Sequence, residues 1–355
     1  MKYRYLVLGI CLGCLFLACK PDFELNAPYK DVTVVYGILD YQDSVHYVKI
    51  YKGFQSHQVF IDAKNPDSIY YYDKINVVLQ EYNKNMLIRE FPLKMVSNEI
   101  PKDDGFFYSG DAKVLYKTTE KIKPECSYKI KITNKITGKI TEGSTPIVNE
   151  LNIRGPSIID MTRTSTITFE YATFASDSCY EFMVSFHYFE VDKATKKVTR
   201  KKISKYVSKA GDRYVTNPDG YSSHKFAATF FDDLAEQLKP NAAVTRYWGS
   251  PEGDPSDQKP VEIIGWAGGT SMKNYLLSNK PTSSFVQVNT IYTNLKVVPK
   301  ADGTTDGLAF GFFSSKVKSR PFQCLVSAQS HSQDSLVLGT KTRHLGFRYR
   351  DEYHP

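Results

Sequence analysis

The sequence predicts a mostly β protein of two β-sandwich-like domains, with a few short helices in the C-terminal domain. Short runs rich in β-branched and aromatic residues recur along the chain, and residues that favour turns separate them. Patterns with a helical period are almost absent. Aromatic residues make up 14% of the 355 residues and charged residues 24%, so the chain can bury a substantial core and is not disordered.

The first half of the chain contains a regular series of predicted strands. Residues 31–39 and 45–51 alternate partly between apolar and polar side chains, and the polar stretch between them predicts a strand pair. A hairpin is predicted from the clean alternation over 128–133 and the return over 139–145. Further strands are predicted over 74–82, 86–91, 105–108 and 113–116. Pro146 and the polar residues after it predict the end of a first domain, over 31–150.

A second β-rich domain is predicted over 151–355. Its longest strand covers 179–191 and is predicted to pair with 198–207. A helix is predicted over 231–238, which Asp232 and Asp233 begin by N-capping, and another over 271–277, with Ser271 as the N-cap. Other strands are predicted over 165–171, 284–293 and 308–313, and Trp266 is predicted to lie in a strand core.

The first nineteen residues have the layout of a bacterial lipoprotein signal. Lys2 and Arg4 precede the apolar run 6–18, which is too short to span a bilayer, and Cys19 follows at once. We therefore expect cleavage between Ala18 and Cys19, a lipid on Cys19, a signal peptide over 1–18 and a tether over 19–30. Cleavage at Cys14, an uncleaved membrane anchor and an ordinary secretory signal are the alternatives.

Charge and cysteine content limit the functional classes. The formal net charge is +8, and loss of Lys2 and Arg4 with the signal lowers it by two, which argues against a dedicated nucleic-acid partner. Cys126, Cys179 and Cys324 would remain unmodified, and no two of them have the C-x-x-C spacing of a zinc or redox site. Buried thiols are the favoured interpretation, and a bridge between Cys179 and Cys324 stays open.

Several stretches resemble one family of lipoproteins. They are the early strand 32–39, the segment 128–146, the helical stretch 272–277, the tripeptide 292–294 and the aromatic strand 307–313. Together they are similar to a family of Bacteroidetes-type lipoproteins catalogued as domain of unknown function 4249, from which Ala309 and the insertion 302–306 depart. The resemblance implies an outer-membrane lipoprotein with an immunoglobulin-like N-terminal domain, often a companion of TonB-dependent receptors. It implies no catalytic residue.

The direction in which the protein faces is open. The segment 20–24 places two acidic residues close to Cys19, which resembles the export tag of surface-exposed lipoproteins in those bacteria. An ordinary polar tether explains the same residues. The protein is therefore expected to be lipid-anchored in the outer membrane, facing either the periplasm or the cell surface.

Motifs for catalysis and cofactor binding are missing from the sequence. The seven histidines form no H-E-x-x-H pattern, and no nucleophile elbow, P-loop or dinucleotide-binding glycine pattern is present. The stretch 302–307 has oxygen ligands and glycines, but it lacks the carboxylate spacing of a calcium loop, so a β-turn is favoured. We expect no enzyme activity, no metal and no cofactor.

Two stretches are candidates for ligand contact. Arg246, Tyr247 and Trp248 precede a Gly- and Pro-rich stretch, where an exposed indole could stack on a sugar ring, although packing in the core is the favoured alternative. Eight lysines and arginines between Lys193 and Lys209 favour a solvated edge hairpin. Their functional alternative is contact with an anion, a lipopolysaccharide or an acidic partner.

The function predicted from sequence is non-catalytic binding, with a glycan or a peptide as ligand, alongside a TonB-dependent receptor. The alternative is a structural pilus or adhesin subunit of two β-sandwich domains, in which Arg154 near the domain junction would be a protease site. A surface hydrolase is the third class. A pilus subunit should form oligomer ladders, whereas an accessory protein should stay monomeric and co-purify with a barrel.

Overall fold

The computed structural model describes residues 31–53, 66–100, 113–161, 166–214, 220–227, 229–252, 259–279, 292–305, 307–327 and 331–354. Ala18, Cys19 and the rest of the predicted signal and tether lie outside these residues. So do the strand predicted over 105–108 and most of the strand predicted over 284–293.

The described part of the chain is mostly β, as the sequence predicts. Its strands are β1 Val32–Leu39, β2 His46–Gly53, β3 Ile75–Asn83, β4 Met86–Pro92, β5 Lys94–Ser97, β6 Val114–Thr118, β7 Ser127–Asn134, β8 Ile140–Pro146, β9 Ile153–Arg154, β10 Ile158–Ile159, β11 Thr166–Thr173, β12 Cys179–Asp192, β13 Val198–Tyr214, β14 Gly220–Ala227, β15 Val244–Tyr247, β16 Val261–Gly268, β17 Leu295–Val297, β18 Leu308–Lys318, β19 Phe322–Val326 and β20 Phe347–Arg348. Its α-helices are α1 Pro66–Ile69, α2 Phe230–Gln237, α3 Thr270–Ser278 and α4 Ser332–Val337. Short 3₁₀ turns cover Tyr72–Lys74, Arg343–Leu345 and Arg350–Glu352.

Within these described residues the strands form three sheets. The largest has twelve strands in the main order β20-β15-β12-β16-β18-β1-β2-β6-β5, with β13 paired to β12 and β19 paired to β16 and β10. The second sheet has the order β17-β8-β7-β3-β4, and the third has the order β14-β11-β9. The architecture is therefore sandwich-like, since the two smaller sheets each pack on part of the large sheet.

The strand pairs that are close in sequence form as predicted. β1 pairs antiparallel with β2, β7 with β8, and β12 with β13. Burial alternates from residue to residue along β1 and along β7 as far as Ile132, as expected for strands with one face in the core. The N-cap prediction for α3 is wrong, because Gly269 occupies that position and Ser271 lies inside the first turn. The elements that were not predicted are β5, β9, β10, β14, β15, β17, β19, β20, α1 and α4.

Two hydrophobic clusters form the core. The first lies between the second sheet and strands β1, β2 and β6, and the other lies between the third sheet and strands β12 and β16. They divide close to the predicted boundary at residue 150. However, Leu295, Ala309 and Phe313 belong to the first cluster, because β17 pairs with β8 and β18 pairs with β1. The N-terminal unit is therefore completed by residues that come late in the chain.

A parallel pairing joins β1 to β18 along the whole length of β1. The side chain of Lys139 is almost fully buried and contacts the residues at the start of both strands. Its ammonium group donates hydrogen bonds to the carbonyl oxygens of Asp31 at 2.7 Å and Leu308 at 3.0 Å, and it lies 3.4 Å from the Asp31 carboxylate. The early and late strands are thus held together by a charged group as well as by the backbone ladder.

The three described cysteines, Cys126, Cys179 and Cys324, are buried free thiols. Cys179 and Cys324 are not bridged, in agreement with the favoured interpretation of the sequence. None of the helices in the described part of the chain has the length and apolar character needed to span a bilayer.

Candidate functional site

The predicted contact residues Arg246 and Tyr247 lie inside the protein. Arg246, 4% exposed, donates through Nε to Glu190 at 2.9 Å and through Nη1 to the carbonyl oxygens of Lys239 and Leu345. Tyr247 is 6% exposed and packs edge-on against Tyr353. Their strand, β15, lies between β12 and β20, so both side chains are used by packing and do not fit the hypothesis of exposed sugar contacts.

Trp248 also packs against other side chains of the protein. Its indole is partly buried and meets Phe186 edge-to-face, with ring centroids 5.9 Å apart, at the border of the second cluster. The alternative of core packing therefore describes the stretch from Arg246 to Trp248 better than the hypothesis of a ligand site.

Trp266, in contrast, is partly exposed on the surface of the sheet. It lies in β16, as predicted, but the prediction that it belongs to the core is wrong. Its neighbours Gly265 and Ala267 are buried, and because successive side chains of a strand point to opposite faces, the indole lies on the outer face of the large sheet. There it is only partly buried, beside the ring of Tyr206, whose centroid lies 6.3 Å away and which is 50% exposed.

A cavity of about 300 Å³ opens next to this indole, and we call it the Trp266 cleft. The side chains that line it include Trp266, Tyr206, Glu181, Met272 and Lys316. The strand register explains why these residues meet. Glu181, Trp266 and Lys318 are directly opposite one another on β12, β16 and β18, and Cys179, Gly268 and Lys316 form the next row on the same face.

Gly268 allows the helix α3 to close one end of the cleft. A Cβ atom on this residue would lie 2.7 Å from the sulfur of Met272 and 2.9 Å from that of Cys179. A larger residue at this position would push the Met272 side chain of α3 away from the sheet, so glycine favours the close approach. The volume of the cleft is set by a small residue in the sheet and a flexible thioether on the helix.

The charge around the cleft is mainly positive. Lys316 lines it, and the ammonium of Lys318 lies 5.8 Å from the ring centroid of Trp266. Glu181 is the carboxylate among the described lining residues. Burial raises the pKa of the Cys179 thiol to about 12, and its sulfur lies 3.7 Å from the Gly268 carbonyl oxygen. The thiol is therefore protonated at neutral pH and does not act as a nucleophile.

A second group of aromatic rings lies beyond α3 on the same face of the sheet. Tyr275 of α3 stacks on Phe312 of β18 with centroids 4.4 Å apart, and Tyr36 of β1 meets both rings edge-on. Tyr51 of β2 stacks on Tyr36, and Lys49 lies over the Tyr51 ring. These contacts fix α3 on the sheet, so the helix side of the cleft is held rigidly.

The basic stretch after Lys193 forms the predicted edge hairpin. β13 pairs only with β12 among the described strands, and Arg200, Lys201, Lys202 and Lys205 are exposed. Lys205 forms an ion pair with Asp233 at the start of α2, at 2.8 Å. The side chain of Asp233 thus pairs with a lysine and accepts a hydrogen bond from Thr229, rather than capping the helix as predicted.

Other predicted features have local structural roles. The carboxylate of Asp302 accepts hydrogen bonds from the backbone N–H and the hydroxyl of Thr304, which is a contact of the turn that the sequence favours. Arg154 lies in β9, where it pairs with β11 and its guanidinium covers the Tyr221 ring at 4.3 Å. Among the described residues, no three His, Cys, Asp or Glu side chains are grouped to hold a metal ion.

The carboxyl group of Asp177 lies just behind the cleft and gives a pH-dependent prediction. Burial raises its pKa to about 6, above the ordinary 3.8, although the hydroxyls of Ser176 and Tyr180 donate to it. The folded protein therefore holds a proton that the unfolded chain loses, and this contribution to stability disappears as the pH rises from about 4 through about 6.

We expect the stability of Asp177→Asn, measured relative to the wild type, to increase as the pH rises over this interval. The asparagine carries no charge at any pH, so the difference in unfolding free energy should grow by on the order of 2 kcal/mol between pH 4 and pH 7.5. Urea unfolding of both proteins at the two pH values measures it. A difference that does not change with pH would contradict the raised pKa of Asp177.

Comparisons with known proteins add little. No family model and no curated protein sequence matches the chain. Among solved structures, similarity is found to the C-terminal globular domain of an oligosaccharyltransferase from Pyrococcus abyssi, with 9% sequence identity and a TM-score of 0.22. The match covers 60% of this chain and 43% of that chain. A TM-score this low supports no conclusion about a shared fold or function.

Proposed function

We propose that the protein is a lipid-anchored, non-catalytic binding protein of the outer membrane that works beside a TonB-dependent receptor. The Trp266 cleft supports the binding role, because partly exposed indole, phenol and ammonium groups meet in one cavity of about 300 Å³. Ligand sites typically combine an apolar or aromatic surface with a few polar groups in this way, and their volumes begin at about this size.

Binding is favoured over catalysis by the chemistry of the cleft. The Cys179 thiol is protonated and buried, so it supplies no nucleophile. Hydrolysis of a glycosidic bond uses two carboxylates on either side of the scissile bond, and among the described lining residues the cleft has Glu181 alone. The groups that are present can stack, donate and accept hydrogen bonds and attract charge.

The membrane location is supported by the sequence. Positive residues, an apolar run of limited length and Cys19 are the parts of a lipoprotein signal, and acyl chains contribute about 0.8 kcal/mol for each buried methylene. The resemblance to Bacteroidetes-type lipoproteins supports the association with a receptor.

Mass spectrometry of the native protein should find acylated Cys19, and affinity purification from membranes should recover a monomer with a barrel protein. Oligomer ladders would instead support the pilus alternative.

Replacing Trp266 with alanine tests the binding role. The probe is the glycan that gives the strongest signal with the wild-type protein on a printed array, and calorimetry measures its affinity. We expect Trp266→Ala to weaken binding about tenfold or more, because aromatic anchors dominate binding sites of this kind.

Tyr221→Ala serves as the control, since it removes another exposed ring outside the cleft and should leave the affinity unchanged. Equal affinity of the Trp266 variant and the wild type would place the site elsewhere. Loss of affinity in Trp248→Ala, with its fold intact, would return the site to the stretch predicted from sequence.

A further inference from the structure

We propose that the Trp266 cleft receives an acidic sugar, a pyranose ring that carries a carboxylate, as one unit of an oligosaccharide. This inference rests on the proposed binding function and specifies its ligand. A sugar ring has one face of C–H groups and a rim of hydroxyls, so a suitable site offers an aromatic surface beside polar groups. The Trp266 cleft offers both.

The size and shape of the cleft fit one sugar ring. Its volume of about 300 Å³ lies at the lower end of the range for small-molecule sites, which suits a ligand unit of limited size. The Trp266 indole and the Tyr206 phenol are neighbours in the cleft, tilted by 38° to each other. Met272 also lines the cleft and can adjust to the ring, because its side chain is unbranched and flexible.

The polar groups are arranged for both hydroxyls and a carboxylate. Glu181 is an acceptor beside the indole, where it can receive hydrogen bonds from sugar hydroxyls. Lys316 and Lys318 project from the neighbouring strand on the same face of the sheet, at the rows of Gly268 and Trp266. An ammonium group next to an aromatic wall favours an anionic group on the ligand, so an acidic sugar gains an attraction here that a neutral sugar does not.

Positive charge continues beyond the cleft along β13. Lys202 and Arg200 lie an even number of residues before Tyr206 and therefore on the same face of the sheet. Lys202 is about 13 Å from Tyr206 along the strand at about 3.3 Å per residue. Both side chains are exposed. A chain of acidic sugars with one unit in the cleft would thus follow a basic surface, whereas a single small anion would not use it.

The test compares two probes with the same backbone. One is a tetramer of galacturonic acid, and the other is its fully methyl-esterified, uncharged form. We expect the wild-type protein to bind the acid at least tenfold more tightly by calorimetry, and this affinity should fall between 50 and 300 mM salt, because salt screens exposed charges.

Lys316→Gln combined with Lys318→Gln should remove most of the preference for the acid. Lys239→Gln combined with Lys296→Gln changes the net charge equally outside the cleft and is the matched control. Thermal unfolding of each variant confirms that it is folded. Trp266→Ala should weaken the binding of both probes.

The outcomes separate the two proposals. In one outcome, the protein binds the acid and the ester equally, and this binding is lost in Trp266→Ala but kept in the lysine double variant. That result would overturn the acidic-sugar inference and leave the binding function standing. Binding that none of these substitutions changes would overturn both uses of the cleft. In another outcome, neither probe binds, but the array identifies a different ligand whose binding depends on Trp266. That result would also overturn the acidic-sugar inference alone.

Discussion

Gly311→Ala is expected to destabilise the protein by about 3 kcal/mol or more. Gly311 has a φ of +90° in β18, opposite Val35 in the parallel ladder with β1. A Cβ atom there would lie 2.0 Å from the Val35 carbonyl oxygen, a backbone atom that cannot move away without breaking the ladder. Left-handed strain costs about 1–3 kcal/mol for a residue with a side chain, and overpacking adds about 1–3 kcal/mol. Domains have about 5–15 kcal/mol of stability in total, so this loss would be a substantial fraction of it.

Gly303→Ala is the matched control for this substitution. Gly303 has a φ of +80°, close to that of Gly311, but a Cβ atom would meet nothing within 4 Å. Urea unfolding of the two variants therefore separates the conformational strain, which both share, from the collision, which only Gly311→Ala has. Equal losses of stability in the two variants would show that β1 and β18 do not approach as closely as described.

Arg246→Ala is expected to cost about 3–5 kcal/mol of stability. The substitution leaves the Glu190 carboxylate and the carbonyl oxygens of Lys239 and Leu345 without this donor, in a place that water reaches poorly. Breaking one partner of a buried ion pair is more damaging than replacing both. Chemical denaturation measures the loss, and Arg343→Ala, which truncates an exposed arginine nearby, should change stability by less than about 0.5 kcal/mol.

The same substitution distinguishes the structural role of Arg246 from the ligand role predicted for it. An Arg246→Ala protein as stable as the wild type, but unable to bind a glycan, would restore the ligand hypothesis. A protein that unfolds at lower urea concentration, with its affinity unchanged while folded, would confirm that Arg246 joins β12, β15 and the segment before β20.

Local pairings in this fold could be predicted from the sequence because neighbouring strands carry their own signals. β7 alternates apolar and polar side chains, a short turn follows it, and the return strand β8 begins directly after the turn, so the local sequence specifies both the strands and their partnership. The pairing of β1 with β18 has no such signal. Its partners are separated by most of the chain, and a buried strand in the middle of a sheet gives no indication of which strand lies beside it.

The candidate site was missed for a related reason. Trp266 lies within a run of apolar residues, so its local sequence is typical of a strand buried on both faces. Whether its face is covered depends on how α3, which follows β16 directly, and β13, which precedes it by about fifty residues, fold back on the sheet. The signal that was available is the alternation itself: Glu262 and Trp266 share one face of β16, and a charged residue on that face indicates that it is open to solvent.

The parallel contact between β1 and β18 also determines when the molecule can finish folding. A ribosome makes β1 first, yet the strand that completes its sheet emerges only after almost all of the chain has been synthesised. Closing so large a loop is entropically costly and makes folding slow. The newly made polypeptide must therefore keep its earliest strand unpaired on one edge for most of its synthesis. A fragment that ends at residue 150 would retain that exposed edge and tend to aggregate.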